Sequence, residues 1–311
     1  MTSGSSTARY EQAVRLASCA PEIVKGIDHL VLCGRDLEAM RQRYGDLGFT
    51  LTSPAQHPFG TGNSLVQLDG CFLELLSVLD EAIVPEHAPG HFSFAAFNRD
   101  FLLTNEGFSM LVLDSNDARA DISRLRSAGI DTYTPFDFSR KAMLPSGEEV
   151  MVGFSLAFAT HPEMPRAGFF SCQQHAPQHF WKPEYQRHAN TAVSILEVCL
   201  IAEHPKRFES FVSQLAGTRP EQINGGSRIS TTRGDIAILS PDAFADRYGT
   251  APPSLADGPR FAGFTIGLVD TRYIEEIEVP RVMERWVVPP DQTFGTAIAF
   301  VRMKSQEPAH E

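Results

Sequence analysis

No apolar stretch in the chain approaches the run of about 20 residues that a membrane-spanning helix needs, and no two cysteines stand in a CxxC pair. The five cysteines suit neither a disulfide framework nor a thiolate zinc site. Cys33, Cys71, Cys172 and Cys199 lie in or beside apolar runs, where a thiol behaves as a small hydrophobe. Positive charge is also scarce. Against 38 Asp and Glu stand 27 Lys and Arg, a formal net charge of −11, which argues against nucleic-acid or anionic-membrane partners. The N-terminal stretch lacks the continuous apolar core of a signal peptide; residues 1–25 read as a polar leader with a short helix over Tyr10–Ser18. The expectation is a reduced, soluble, cytoplasmic protein.

What is present is an ordinary globular composition, 42% hydrophobic and 21% charged over 311 residues, a length that suits two domains. Two strand-like runs each carry one polar misfit. In GIDHLVL (residues 26–32) it is His29, and in CFLELLSV (residues 71–78) it is Glu74. Alternate residues of a strand share a face, so Glu74 should point with Phe72, Leu76 and Val78, and His29 with Ile27 and Val31. A carboxylate on an apolar face is costly unless it is paired, hydrogen-bonded or metal-bound. Two such misfits suggest one shared polar site. The alternatives are a core histidine bonded to a carbonyl, and a Glu74 paired with Arg35, Arg99 or Arg140.

The chain repeats itself. A strand at 27–33 is followed by a helix near 36–46 stopped at Gly48, then strands at 49–56, 64–68 and 71–78. GFSMLVLDS (107–115) overlays GIDHLVLCG (26–34) and opens a second copy, with a helix ending at Gly129, alternation through EEVMVGFSLAFA and a closing strand AGFFSCQQH (167–175). A third copy opens at SILEVCLIA (194–202) and a weaker fourth at RFAGFTIGLVD (260–270). HPFGTGN lacks the strand-to-helix setting and Lys of a phosphate loop and reads as a hairpin loop at a rim, where His57 and Asn63 would meet a substrate. Arg140 and Trp181 are further candidate substrate contacts; the alternative for Trp181, Phe180 and Tyr185 is that they seal the interdomain linker.

With GIDHLVL, HPFGTGN, FLELL, FFSCQQHAPQHFWKPEYQ and RWVVPP in this order, the chain resembles the vicinal oxygen chelate superfamily, and within it the glyoxalase-like, two-domain bacterial proteins. The resemblance implies an α+β fold of four βαβββ modules paired into two half-barrel domains, here residues 26–180 and 190–303, the second degenerate and without chemistry of its own. It also implies a divalent metal (Zn, Ni, Mn or Fe) held from the first and last strands of paired modules. His29 and Glu74 fall on those positions. Their counterparts in the second module are Met110 and, by sequence alignment, Ser171, neither a good ligand, so His175 is the expected third ligand. The implied function is a metal-dependent lyase or isomerase that chelates a small substrate through neighbouring oxygens, with Glu74 as ligand or catalytic base. A ring-cleaving Fe(II) dioxygenase and a metal-free binding or resistance protein are the alternatives. The partner is then a small molecule, and whether two copies form a homodimer is left open.

Overall fold

The computed structural model describes residues 24–143 and 149–304, and of Arg140, Ala142 and Met143 only the backbone. The Tyr10–Ser18 helix lies outside these residues. In the first module, β1 (Ile27–Cys33) leads to α1 (Leu37–Asp46), then β2 (Ala55–Gln56), β3 (Thr61–Gln67) and β4 (Phe72–Val78). After α2 (Phe94–Leu102), the second module runs through β5 (Gly107–Asp114), α3 (Ala118–Ser127), β6 (Asp131–Thr132), β7 (Phe136–Met143), β8 (Glu149–Thr160) and β9 (Gly168–Gln174). The third contains β10 (Ala192–Ile201), α4 (Glu209–Ala216), β11 (Pro220–Ile223), β12 (Gly226–Ser230) and β13 (Asp235–Leu239). After α5 (Pro241–Tyr248), the fourth has β14 (Arg260–Leu268), α6 (Arg272–Glu276), β15 (Arg281–Val282), β16 (Arg285–Val288) and β17 (Ala297–Arg302).

Local chemistry sets these boundaries. Asp36 caps α1 by accepting the Ala39 N–H at 3.0 Å, and Gly48, at φ +86°, turns the chain out of the helix. The expected strand over 49–56 shrinks to β2. Conversely β3 starts at Thr61, so Asn63 sits inside a strand rather than in the rim loop. Among the described residues the strands form two sheets, in the orders β2-β3-β4-β1-β5-β9-β8-β6, with β7 on β8, and β11-β12-β13-β10-β14-β17-β16-β15. In each, a module's first and last strands run parallel at the centre and the two first strands pair antiparallel. This is the four-module vicinal-oxygen-chelate architecture.

The two sheets back onto each other. Leu30 and Leu32 of β1, Leu111 of β5, Val198 and Leu200 of β10 and Phe264 of β14 belong to one buried core that spans both halves. The other face of the first sheet curls around a separate cluster that includes Val31, Cys33, Leu76, Met110, Phe158 and Phe170. No helix of the described residues is long and apolar enough to cross a membrane.

Candidate functional site

A β-bulge governs how β1 presents its polar residues. The pairing of β1 with β5 shifts register between Ile27 and His29. Ile27 therefore faces the shared core with Leu30 and Leu32, not the His29 side expected from simple alternation. Asp28 and His29 meet as a result, with Asp28 Oδ1 2.5 Å from His29 Nδ1. Asp28 is held from its other oxygen by Gln174 Nε2 of β9 at 3.0 Å. A carboxylate can only accept, so His29 Nδ1 carries the proton toward Asp28 and Nε2 faces onward. Onward lies Glu74 of β4, whose Oε2 is 3.7 Å from His29 Nε2.

Glu74 makes no pair with Arg35 or Arg99, two of the arginines considered for it. Arg35 pairs with Glu106 and Arg99 with Glu86. Instead Glu74 Oε1 accepts from Asn63 Nδ2 at 2.6 Å, and His57 Nε2 stands 4.0 Å from the same oxygen. His57 Nδ1 bonds Thr61 Oγ1 at 2.8 Å, and its ring stacks on Phe59 at 4.9 Å between centroids. His29, Glu74, His57 and Asn63 are all buried in whole or in large part, and together they make one polar wall.

That wall opens on a pocket whose remaining sides are apolar. Seven phenylalanines line it: Phe59, Phe72, Phe94, Phe138, Phe154, Phe170 and Phe180, with Leu65, Leu156 and Cys172. Phe72 stacks on the His29 ring at 4.2 Å and 14°, which fixes the imidazole plane. Burial, and after it the Asp28 and Glu74 carboxylates, push the Cys172 thiol well above its ordinary range. It stays protonated and is no nucleophile.

The expected metal ligands can now be tested by register. β1 pairs with β4 so that His29 faces Phe72 and Val31 faces Glu74; β5 pairs with β9 so that Met110 faces Gly168 and Val112 faces Phe170. The counterpart of Glu74 is therefore Phe170, not Ser171. The one-residue difference reverses the face, and Ser171 turns away to bond Asp121 at 3.0 Å. His175 shares the parity of Ser171 and suffers the same correction. Its Nε2 lies 2.8 Å from Ser155 Oγ, in a shallow surface recess with Asp137 and Arg119, away from the His29 wall. Of the four symmetry-related positions, Met110 and Phe170 offer no hard donor. Among the described residues no group of three or more His, Cys, Asp or Glu is placed to hold a metal ion. The residues present do not fit a divalent ion with the three protein ligands of an open catalytic site.

Trp181 lies behind Phe180, its ring 5.0 Å from it and 6.1 Å from Phe72, and does not line the cavity. The Arg140 side chain lies outside the described residues. Sequence reading placed Phe72 beside Glu74 and offered Phe180 as a pocket wall, but missed Asp28, Gln174 and most of the other aromatic walls. Only the alternation of EEVMVGFSLAFA, which places Phe154 and Leu156 on one face, signalled part of them.

The corresponding space in the second half is filled. Glu197, which overlays His29, is clasped by Arg247 at 2.6 Å and Arg285 at 3.5 Å. Phe244 and Tyr248 of α5 stack at 4.7 Å within the same barrel. Two guanidiniums thus supply the cationic partner that Glu197 needs.

Comparison with known proteins agrees with this architecture. The family described as a glyoxalase-like domain matches residues 27–216. No curated protein matches the chain. Among solved structures, a hypothetical protein from Staphylococcus aureus aligns at TM-score 0.66 and 14% identity, over 90% of this chain and 100% of that one. A mutant of 4-hydroxymandelate synthase from Streptomyces coelicolor aligns at 0.51 and 12%, covering 86% and 78%. Homoprotocatechuate 2,3-dioxygenase from Arthrobacter globiformis aligns at 0.50 and 12%, covering 93% and 83%. At these identities the likeness concerns the fold alone.

Proposed function

The chain belongs to the glyoxalase-like domain family, and from that premise we propose that it moves a proton on a small carbonyl compound bound in the first-domain cavity. The observation that carries the reading is the line Asp28–His29–Glu74, which ends in a cavity otherwise walled by phenylalanine. The substrate class follows from the walls: a flat or extended apolar body, with one oxygenated end turned to the polar side.

His29 Nε2 is the base. Asp28 holds the ring in the tautomer that leaves this lone pair free and stabilises the imidazolium formed when it takes a proton. As the C–H bond beside the carbonyl breaks, its electron pair moves onto the carbonyl oxygen. Glu74, oriented by Asn63, lies 3.7 Å from His29 on the same wall. In a hydroxy-carbonyl substrate Glu74 would pass the hydroxyl proton to the former carbonyl oxygen while His29 returns its proton to the neighbouring carbon, so protons and charge balance, which is isomerase chemistry. The apolar walls limit the water around the anion and protect it from side reactions. No step in this scheme is routed through a metal, because Met110 and Phe170 stand where two ligands would be needed.

The test is deuterium wash-in. Aromatic and aliphatic hydroxy-ketones and aldehydes are incubated with the protein in D₂O and followed by proton NMR, with metal content measured on the same samples. Exchange in the wild type that falls by about 10²–10⁴-fold in His29→Ala supports the proposal. Ligands that raise the melting temperature without exchange would make the protein a sequestering one. A stoichiometric metal lost together with exchange in His29→Ala and Glu74→Gln would restore the metal-dependent route.

A further inference from the structure

Where the two halves meet, a wide, open recess lies between Arg35, Arg43 and Glu106 of the first half and Arg260, Asp291 and Gln292 of the second. Three guanidiniums on a chain of net charge −11 are unusual company, and their partners differ. Arg35 is engaged, with Glu106 at 3.0 Å and the main-chain oxygens of Leu102 and Asn105. Among the described residues Arg43 donates only to neutral groups of Gln292, the main-chain oxygen at 2.9 Å and Oε1 at 3.1 Å.

Arg260 has less. Its Nε is buried without a hydrogen-bond partner, and no hydrogen bond or ion pair of its side chain exists among the described residues. The charges acting on it are Arg166 and Asp257, and Asp257 already pairs with Arg166 at 3.5 Å. Burial first, and then repulsion by Arg166, holds Arg260 below the usual guanidinium range, yet an arginine stays cationic at neutral pH. A partly buried cation with an unpaired Nε donor gains from an anion beside it.

We propose that this recess binds a multivalent oxyanion, a phosphorylated or polycarboxylate small molecule, between Arg43 and Arg260. A planar guanidinium matches two oxygens of a phosphate or carboxylate at once. One bound anion would take donors from α1 of the first half and β14 of the second, and so tie the halves together. Asp291 at the same recess opposes a single weak charge, which is why the occupant is multivalent. The site shares no lining residue with the phenylalanine cavity and does not depend on the reaction proposed there.

Calorimetric titration of the full chain with pyrophosphate and with citrate, at ionic strength held constant with sodium chloride, tests this. The expected result is saturable binding of one anion per chain. Arg260→Gln and Arg43→Gln should each weaken it about tenfold or more, because each removes charge-assisted hydrogen bonds. Asp291→Asn should strengthen it. Arg207→Gln, which removes a surface pair with Glu163 elsewhere, should leave it unchanged. Binding of one anion alone supports the proposal and names the chemical class. No saturable binding of either, or wild-type affinity in both arginine variants with unchanged melting profiles, overturns it.

Discussion

Asp28 and His29 follow one another in a strand, yet their side chains meet at 2.5 Å, because the bulge after Ile27 sets aside the alternation that would part them. Asp28→Asn keeps the shape and removes the charge that holds the His29 tautomer. Proton exchange should drop by about 10²–10⁴-fold while ligand affinity stays near the wild-type value. NMR exchange rates and a calorimetric titration on the same variant check both halves of that statement. A loss of affinity equal to the loss of rate would make Asp28 merely structural.

Met110 and Phe170 occupy the two positions related by symmetry to His29 and Glu74. Met110→His combined with Phe170→Glu should complete a four-donor set. Adding Ni²⁺ should then raise the melting temperature of the double variant, since an ion that binds only the folded state stabilises it by mass action. The wild type should show no such rise, and a rise of equal size would count against the register given above.

Gly107 begins β5 at φ +109°, and a Cβ there would lie 2.7 Å from the Phe294 carbonyl oxygen across the seam between the halves. Gly107→Ala should cost about 2–4 kcal/mol, combining backbone strain with the clash. Urea denaturation would measure it. A change below about 1 kcal/mol would mean that the seam gives way easily.

His188, in the connection between the halves, accepts the Thr50 N–H on Nδ1 at 3.0 Å and donates from Nε2 to the Gln67 carbonyl at 2.9 Å. Burial outweighs that carbonyl and holds its pKa below the ordinary 6.5. The folded state therefore prefers the neutral ring, and the unfolded chain binds the proton first. Its stabilising contribution is full above about pH 6.5 and is lost as pH falls through the depressed folded value. Melting temperature should decline from pH 7 to 5 in the wild type and decline less in His188→Gln. Parallel curves would exonerate His188.

Local signals carried most of the fold. The apolar run around His29 and the turn at Gly48 each act within a few residues, and the structure keeps both. The helix Phe94–Leu102 also had its cap, Ser93, but its burial depends on a cavity formed by distant strands. The site was legible only where a residue was out of place on its own strand, as His29 and Glu74 are. Gln174 looks unremarkable in FFSCQQH, and its role depends on whether residue 173 or 174 faces inward. Register between β5 and β9 decides that, across the whole of residues 115–167. The misplacement of His175 is the same error of one residue.

β10 serves two masters. Val198 and Leu200 complete the core behind β1, while Cys199 and Ile201 look into the second barrel. A break in the chain after the first half would therefore strip the back of the sheet that carries His29 and leave its leucines in water. The match to the glyoxalase-like family runs to residue 216, past β10 and α4. The matched segment thus joins the site to the strap behind it, and the site's sheet cannot be cut from that strap without exposing its own core.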